Sequence, residues 1–188
     1  MKNLKTIAIA LFIAIGATAN AQTKKVDVKK STITWVGKKV TGQHSGTVNL
    51  KDGSLVFKSN KLTGGAFNVD MTSIAVTDLK AGEGKEKLEG HLKADDFFGT
   101  AKFATASLAF KTITAKANNT YTVVADLTIK GITKPVTFDL AVAGNKATTS
   151  FKIDRTKYDI KYGSGSFFDG LGDKVINDDF DVTVSLVF

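Results

Sequence analysis

The chain has 188 residues, no cysteine and a formal net charge of +8 at neutral pH. Without cysteine it can form neither disulfides nor a thiolate metal site, so a single packed core must hold the fold together. The basic residues are scattered and lack the interleaved aromatic residues on which bases would stack, so we expect no nucleic-acid partner.

The first 21 residues have the order of a secretory signal peptide. Lys2 and Lys5 precede the apolar stretch 7–15, which is too short to span a bilayer, and the small-residue triplet 19–21 ends it. We expect cleavage before Gln22, export to the periplasm, and one domain over residues 22–188. A retained anchor is the alternative, although no cysteine stands at the cleavage site to carry a lipid.

Most of the remaining chain alternates apolar and polar residues with a period of two, which is typical of strands with one buried face. Asp52-Gly53 predicts a hairpin turn, and a second hairpin is predicted over residues 121–144, around the break at 130–135. Gly144 predicts a further tight turn. We count eight or nine strands, most of them joined as near neighbours, which predicts an all-β antiparallel barrel or sandwich.

Two segments interrupt this pattern. Residues 84–97 combine helix-forming glutamates with Leu88 and Leu92 four apart, and they predict a short helix over one end of the sheet. The glycine-rich residues 162–178 predict a long loop that forms the mouth of a cavity or its lid. Phe167 and Phe168 lie in this loop, where they would cover the mouth or touch a donor membrane.

The alternation assigns one set of side chains to the interior. The small Ala125 favours a hollow, but the thirteen phenylalanines of the chain would equally fill it, so the sequence leaves both interiors open. The predicted barrel-lining set is Ile33, Trp35, Phe57, Phe67, Val69, Phe103, Leu108, Phe110, Val123, Ala125, Leu127, Ile129, Phe138, Leu140, Phe180, Val182 and Val184.

No constellation of residues indicates catalysis or a metal. His44 and His91 are far apart and neither belongs to a metal-spaced pair, and no serine has a nucleophile motif around it. We therefore expect no cofactor and no enzymatic activity. Arg155 is the single arginine, and alternation from Phe151 and Ile153 places it on the inward side. It either binds a ligand headgroup at the mouth, together with His44, or closes one end of the barrel against an aromatic ring such as Trp35 or a buried carboxylate.

Over residues 26–188 the chain resembles the YceI-like family of bacterial exported proteins. The resemblance rests on the stretches "VDVKKSTITWVG", "HSGTV", "FNVDMTSI", "LEGHLKADDFF", "FKIDRTKYDI" and "GDKVINDDFDVTVSL", and above all on "LTIKGITKP". Tyr158-Asp159 and Ala101-Lys102 depart from the pairs that the family usually has at these places.

The resemblance implies an extended, eight-stranded, lipocalin-like barrel whose interior holds a long polyisoprenoid, and a role in isoprenoid quinone handling or stress response. The leading hypothesis is thus an exported protein that carries a polyisoprenoid, such as a quinone or a prenyl phosphate, with transient membrane contact. The alternative is a secreted barrel or sandwich that acts through its surface, as an adhesion or stress module, and has a filled core.

Overall fold

The computed structural model describes residues 21–188, so the predicted signal peptide, residues 1–21, lies outside the described residues except for its last residue, Ala21. This part of the chain folds into nine strands, one α-helix and two short 3-10 helices, η1 and η2. The elements are β1 (Ala21–Lys25), β2 (Thr32–Lys39), β3 (Gly42–Lys58), β4 (Lys61–Val76), α1 (Lys85–Lys93), β5 (Thr105–Ala115), β6 (Thr120–Ile129), β7 (Ile132–Ala143), β8 (Lys146–Asp154), η1 (Arg155–Tyr158), η2 (Gly172–Lys174) and β9 (Ile176–Val187).

Strands β2 to β9 form a closed antiparallel barrel. Each strand pairs with the next along the chain, and β2 pairs with β9 to close the circle. Strand β1 adds a ninth strand outside it, since Ala21–Lys25 pairs with Ser54–Lys58 at the far end of the long strand β3. The prediction of an eight-stranded barrel with a short helix and a long loop near its ends is confirmed.

The hairpin of β6 and β7 follows its sequence pattern. Every second residue of β6 is buried, from Tyr121 to Ile129. The turn consists of Lys130 and Gly131, whose φ angles of 50° and 74° are both left-handed, as a two-residue hairpin turn requires. Pro135 lies in the part of β7 that pairs with β6 alone, where its missing N–H leaves no ladder bond to β8 unmade.

The prediction of a hairpin turn at Asp52-Gly53 is wrong. Both residues lie inside β3, and the chain turns at Ser59 and Asn60, which both have positive φ. Gly53 is needed for packing instead, because a Cβ there would lie 2.4 Å from the ring of Phe67 on the neighbouring strand. The register between β3 and β4 also shifts near this place, which bends the long strand around the barrel.

The helix is shorter than predicted, and it is followed by a compact turn. Helix α1 ends at Lys93, because Ala94 is extended, and residues 95–98 return the chain toward β5. The connection 77–104 and the segment 155–175 both join strands at the end of the barrel where β2 meets β3, here called the upper end. Residues 26–31 cross the opposite, lower end. None of the helices within residues 21–188 is long and apolar enough to cross a membrane.

Candidate ligand cavity

The barrel encloses a cavity whose walls are almost entirely apolar. The volume open to the centre of a water molecule is about 190 Å³. This volume far exceeds the roughly 10–15 Å³ that a cavity needs to hold a single water, so the barrel interior has room for an extended apolar group.

Most of the predicted barrel-lining residues contribute to this wall. They come from six of the eight barrel strands, which the period-two alternation brings to one interior. They are Ile33, Trp35, Phe67, Val69, Leu108, Phe110, Leu127, Ile129, Phe138, Leu140, Phe180, Val182 and Val184.

Four predicted lining residues lie elsewhere. Phe57 packs at the lower end against Phe188, with ring centroids 5.6 Å apart. Phe103 precedes β5 and lies beside the Gly131 turn, outside the barrel wall. Val123 and Ala125 are fully buried in β6 but do not reach the cavity.

Two aromatic rings account for the position of Val123 and Ala125. Phe138 is the register partner of Val123 on β7, and Phe110 that of Ala125 on β5. Their ring centroids are 6.1 Å apart in a T-shaped arrangement. Both rings belong to the cavity wall. We infer that they separate the smaller side chains of Val123 and Ala125 from the cavity. The small Ala125 therefore makes room for aromatic side chains instead of widening the cavity.

The predicted lining set omits a group of wall residues, although Phe151, Ile153 and Arg155 among them were expected to face inward. Those on strands continue alternations that were already visible, whereas Leu92, Phe97 and Phe98 belong to the helical segment and share no strand period. The additional wall residues are Gly37, Val48, Leu50, Met71, Ile74, Leu92, Phe97, Phe98, Ala106, Ser107, Thr149, Phe151, Ile153, Arg155, Ile176, Asn177 and Leu186.

The lower end is closed by packed side chains. Leu55 and Ala147 are fully buried there without lining the cavity, and Tyr121 accepts a hydrogen bond from the backbone N–H of Leu62. Val26, in the segment that crosses this end, is also buried, and its N–H donates to Gly53 O at 2.9 Å. A ligand therefore reaches the cavity from the upper end or through the side wall.

The upper end is covered by the helical connection. Leu92, Phe97 and Phe98 are buried and form part of the cavity wall. Phe98 meets Phe180 of β9 edge to face, with centroids 6.3 Å apart. These three side chains act as the roof of the cavity.

One part of the upper wall reaches the surface. Gly37 of β2 pairs with Phe180, but Lys39 pairs with Ile176, so residues 177–179 bulge opposite Lys38. Asn177 in this bulge lines the cavity and is exposed, and no atom lies within 4 Å of a Cβ built on Gly37. We call this opening, formed by Gly37, Ile176 and Asn177, the mouth.

Arg155 lies beside the mouth, where its donors are engaged by the protein itself. The side chain is 2% exposed, and it donates to four backbone carbonyl groups. Nη2 also lies 3.6 Å from Asp178 Oδ1. Burial lowers the pKa of Arg155, while Asp178 and Asp154 oppose this effect. The guanidinium group thus fixes residues 160–162 against 176–178.

The other candidates for a headgroup contact lie at the same end, but not in the wall. His44 places Nδ1 3.0 Å from Asp78 Oδ2 and is about one-third exposed. Partial burial raises the pKa of Asp78, but hydrogen bonds from the Ser45 backbone and from His44 outweigh it, so the pKa lies below its usual value. Phe167 and Phe168 are exposed by half. Residues 21–188 contain no group of three potential metal ligands.

The barrel wall is weakest between β7 and β8. The two strands share only the register pairs from Ala141–Thr148 to Ala143–Lys146, although both continue for several residues beyond them. Two side-chain contacts bridge the remaining gap. The rings of Phe138 and Phe151 stack 4.7 Å apart, and the Thr149 hydroxyl donates to Asp139 O at 2.7 Å.

Comparisons with known proteins identify relatives along the whole described chain. The family model of the YceI-like domain matches residues 25–188. A UPF0312 protein of Shewanella denitrificans is 32% identical over 99 residues, which are 53% of this chain and 49% of that protein. A UPF0312 protein of Vibrio vulnificus is 25% identical over 154 residues, or 76% of this chain and 75% of the relative. The first of these matches spans about half the length of the relative.

Solved structures share the fold at low identity. BcnA of Burkholderia cenocepacia aligns with a TM-score of 0.66 at 22% identity, covering 87% of this chain and 99% of that one. A polyisoprenoid-binding domain of Saccharophagus degradans gives a TM-score of 0.58 at 14% identity and covers 86% and 95%. The YceI protein of Campylobacter jejuni gives 0.54 at 18%, covering 73% and 81%.

Proposed function

The chain belongs to the YceI-like family, and we propose that it is an exported protein that binds an isoprenoid lipid inside its barrel. Isoprenoid quinones and prenyl phosphates are the ligand classes that we consider. The related fold of a domain described as polyisoprenoid-binding supports this choice.

The apolar cavity is the observation that supports this proposal most directly. Its wall contributes many aromatic and branched apolar side chains and hardly any polar surface, so it offers no partner to a polar ligand. Burial of hydrocarbon is favourable by roughly 0.8 kcal/mol for each CH₂ group, so a prenyl tail binds through its tail alone. One methylene more or less changes affinity little, and the cavity therefore selects apolar chains as a class.

Two other functions have less support. A module that acts through its surface predicts a filled core, and the cavity of about 190 Å³ counts against it. An enzyme would need titratable side chains that converge in the cavity, and we considered His44 and Asp95 for this role. His44 contacts Asp78 and Asp95 contacts Lys102, and neither lines the cavity. We therefore propose a binding role without catalysis.

Ligand uptake tests this proposal directly. The protein is purified after export, extracted with organic solvent, and the extract and the intact protein are analysed by mass spectrometry. Delipidated protein is then titrated with prenyl alcohols and quinones. Trp35 is the single tryptophan and lines the cavity, so its fluorescence should change on binding. A protein that is isolated empty and takes up none of these compounds contradicts the proposal.

Export is tested separately. We expect the chain that starts at residue 1 to be recovered from the periplasmic fraction with Gln22 at its N-terminus, and a chain that starts at residue 22 to stay in the cytoplasm. Recovery of the full-length, uncleaved chain in the membrane fraction would instead indicate a retained anchor.

A further inference from the structure

Large apolar side chains are exposed at one end of the barrel. Within residues 21–188 there are five of them, and Val28 alone lies at the lower end, in the segment 26–31. The other four lie at the upper end, on the β2–β3 turn and on the loop before η2. They define what we call the apolar tip: Val40 (64% exposed), Tyr162 (48%), Phe167 (50%) and Phe168 (51%).

The apolar tip adjoins the mouth of the cavity. The Val40 N–H donates to Val175 O at 3.3 Å, and the next residue, Ile176, donates from its N–H to Gly163 O at 2.8 Å. Ile176 itself lines the cavity at the mouth. Two backbone hydrogen bonds thus connect the turn that carries Val40 and the loop that carries the phenylalanines to the same rim.

The charges around the tip decide which partner fits it. Segment 155–178 contains four basic and four acidic residues and has no net charge of its own, whereas the chain as a whole is strongly basic. The Lys161 ammonium lies 5.1 Å from the centroid of the Phe167 ring, so a cation accompanies the apolar side chains. A basic protein with a protruding, locally neutral aromatic loop suits the interface of an anionic bilayer, where aromatic rings and lysines are stable together.

We propose that the apolar tip inserts into a phospholipid bilayer and thereby turns the mouth toward the membrane. Attraction of the net positive chain brings the protein to the surface, and Phe167, Phe168 and Val40 enter the headgroup region. The purpose of this contact, transfer of the lipid ligand, rests on the proposed function. The contact itself does not, because it is tested on vesicles that contain no isoprenoid.

Vesicle binding with a matched pair of variants tests the proposal. The protein that starts at Gln22 is floated with vesicles of phosphatidylcholine and phosphatidylglycerol. Phe167→Asp/Phe168→Asp should weaken binding at least about tenfold, since it replaces the inserting side chains by charges. Val28→Asp, at an exposed apolar residue of the opposite end, should bind like the original protein. Val40→Asp should also weaken vesicle binding, although Val40 lies on a different loop from the two phenylalanines.

A second measurement locates the contact. Phe168→Trp should give a blue-shifted emission with these vesicles and be quenched by brominated lipid, above the background of the buried Trp35. Val28→Trp should show neither effect. Absence of vesicle binding, equal loss of binding in Phe167→Asp/Phe168→Asp and in Val28→Asp, or quenching of Val28→Trp alone each overturns the proposal. If vesicle binding holds while prenyl lipids are not taken up, the proposed function fails and this inference stands.

Discussion

The guanidinium group of Arg155 lies over the ring of Phe97, 5.8 Å from its centroid. Phe97 belongs to the connection that roofs the cavity, and Arg155 begins the segment beside the mouth. The single arginine of the chain therefore joins the two segments that cover the upper end. Of the two roles expected for Arg155, this geometry favours the structural one, with Phe97 in the place assigned to Trp35.

We predict that Arg155→Lys destabilises the protein without changing its ligand preference. Lysine keeps the charge but loses the planar fork, so it leaves buried carbonyl groups such as Ile160 O without a donor. We expect a loss of about 2–4 kcal/mol of unfolding free energy, measured by denaturant titration. The ratio of affinities for neutral and phosphorylated prenyl lipids should stay as it is.

A headgroup role for Arg155 makes the opposite prediction. The variant would then keep its stability and lose affinity for the phosphorylated ligand alone. Arg155→Met, which removes the charge but keeps the apolar stem, serves as the second variant if Arg155→Lys changes both quantities.

Tyr158 predicts a loss of stability at high pH. The side chain is 1% exposed, its hydroxyl has no hydrogen-bond partner in the structure, and burial followed by the charge of Asp154 raises its pKa to about 12. As the pH rises, the Tyr158 hydroxyl therefore keeps its proton to a higher pH in the folded state than in the unfolded state. Its contribution to stability is therefore complete below pH 10, the usual pKa of tyrosine, and is lost as the pH rises toward 12.

Tyr158→Phe tests this linkage. At neutral pH the variant should be as stable as the original protein or more stable, since it removes an unpaired buried hydroxyl. Between about pH 10 and 12 its unfolding free energy should fall less steeply. Lysine titration affects both proteins equally, and Tyr162→Phe, at a half-exposed ring, is the control. Equal slopes for Tyr158→Phe and the original protein contradict the prediction.

The period of two was sufficient for the strands and for most of the predicted lining residues, because it assigns each strand residue to a face, whereas the choice of a barrel over a sandwich came from the family resemblance. The prediction from sequence failed where one residue type serves two purposes, as glycine does in turns and in close packing. Asp52-Gly53 is a common turn sequence, yet Gly53 makes room for the ring of Phe67 inside a strand. The turn at Ser59 and Asn60 contains no glycine at all, so composition did not reveal it.

The residues that close the cavity at its upper end were harder to predict, because they lie outside the strands and follow no sequence repeat. The roof residues Phe97 and Phe98 follow a helix and reach the interior through a turn, which no local repeat signals. Alternation assigned Ala125 to the inward side and its small size favoured a hollow, whereas Ala125 is fully buried and does not line the cavity. Tertiary packing, not local sequence, decides which inward residues face a cavity and which face one another.

The size of the cavity predicts how affinity depends on chain length. Affinity should rise steeply as prenyl alcohols lengthen up to the length that fills the cavity, because each added carbon is buried. Beyond it, further units remain at the mouth and add little. Titration of a series of prenyl alcohols, followed by Trp35 fluorescence, measures this. A continued steep rise would show that the roof around Phe97 and Phe98 moves to enlarge the cavity.

Gly37 offers a position at which a larger side chain would fill the mouth without straining the fold. Its φ lies outside the left-handed region, and no atom lies within 4 Å of a Cβ placed on it. Ile33, Trp35 and Gly37 alternate on the inward face of β2, so the side chain of Gly37→Leu points into the cavity.

We expect Gly37→Leu to keep the stability of the original protein and to lower affinity for prenyl alcohols at least about tenfold, because about four added side-chain carbons take space that ligand carbons would otherwise occupy. Gly90→Leu is the matched control, since Gly90 also has no atom within 4 Å of its Cβ position but lies on the exposed face of α1. Thermal melting and ligand titration of both variants separate folding from binding. Equal affinity of Gly37→Leu and Gly90→Leu, with both proteins folded, would show that the ligand does not occupy the barrel beside Gly37, and the binding site would then have to be sought on the outer surface.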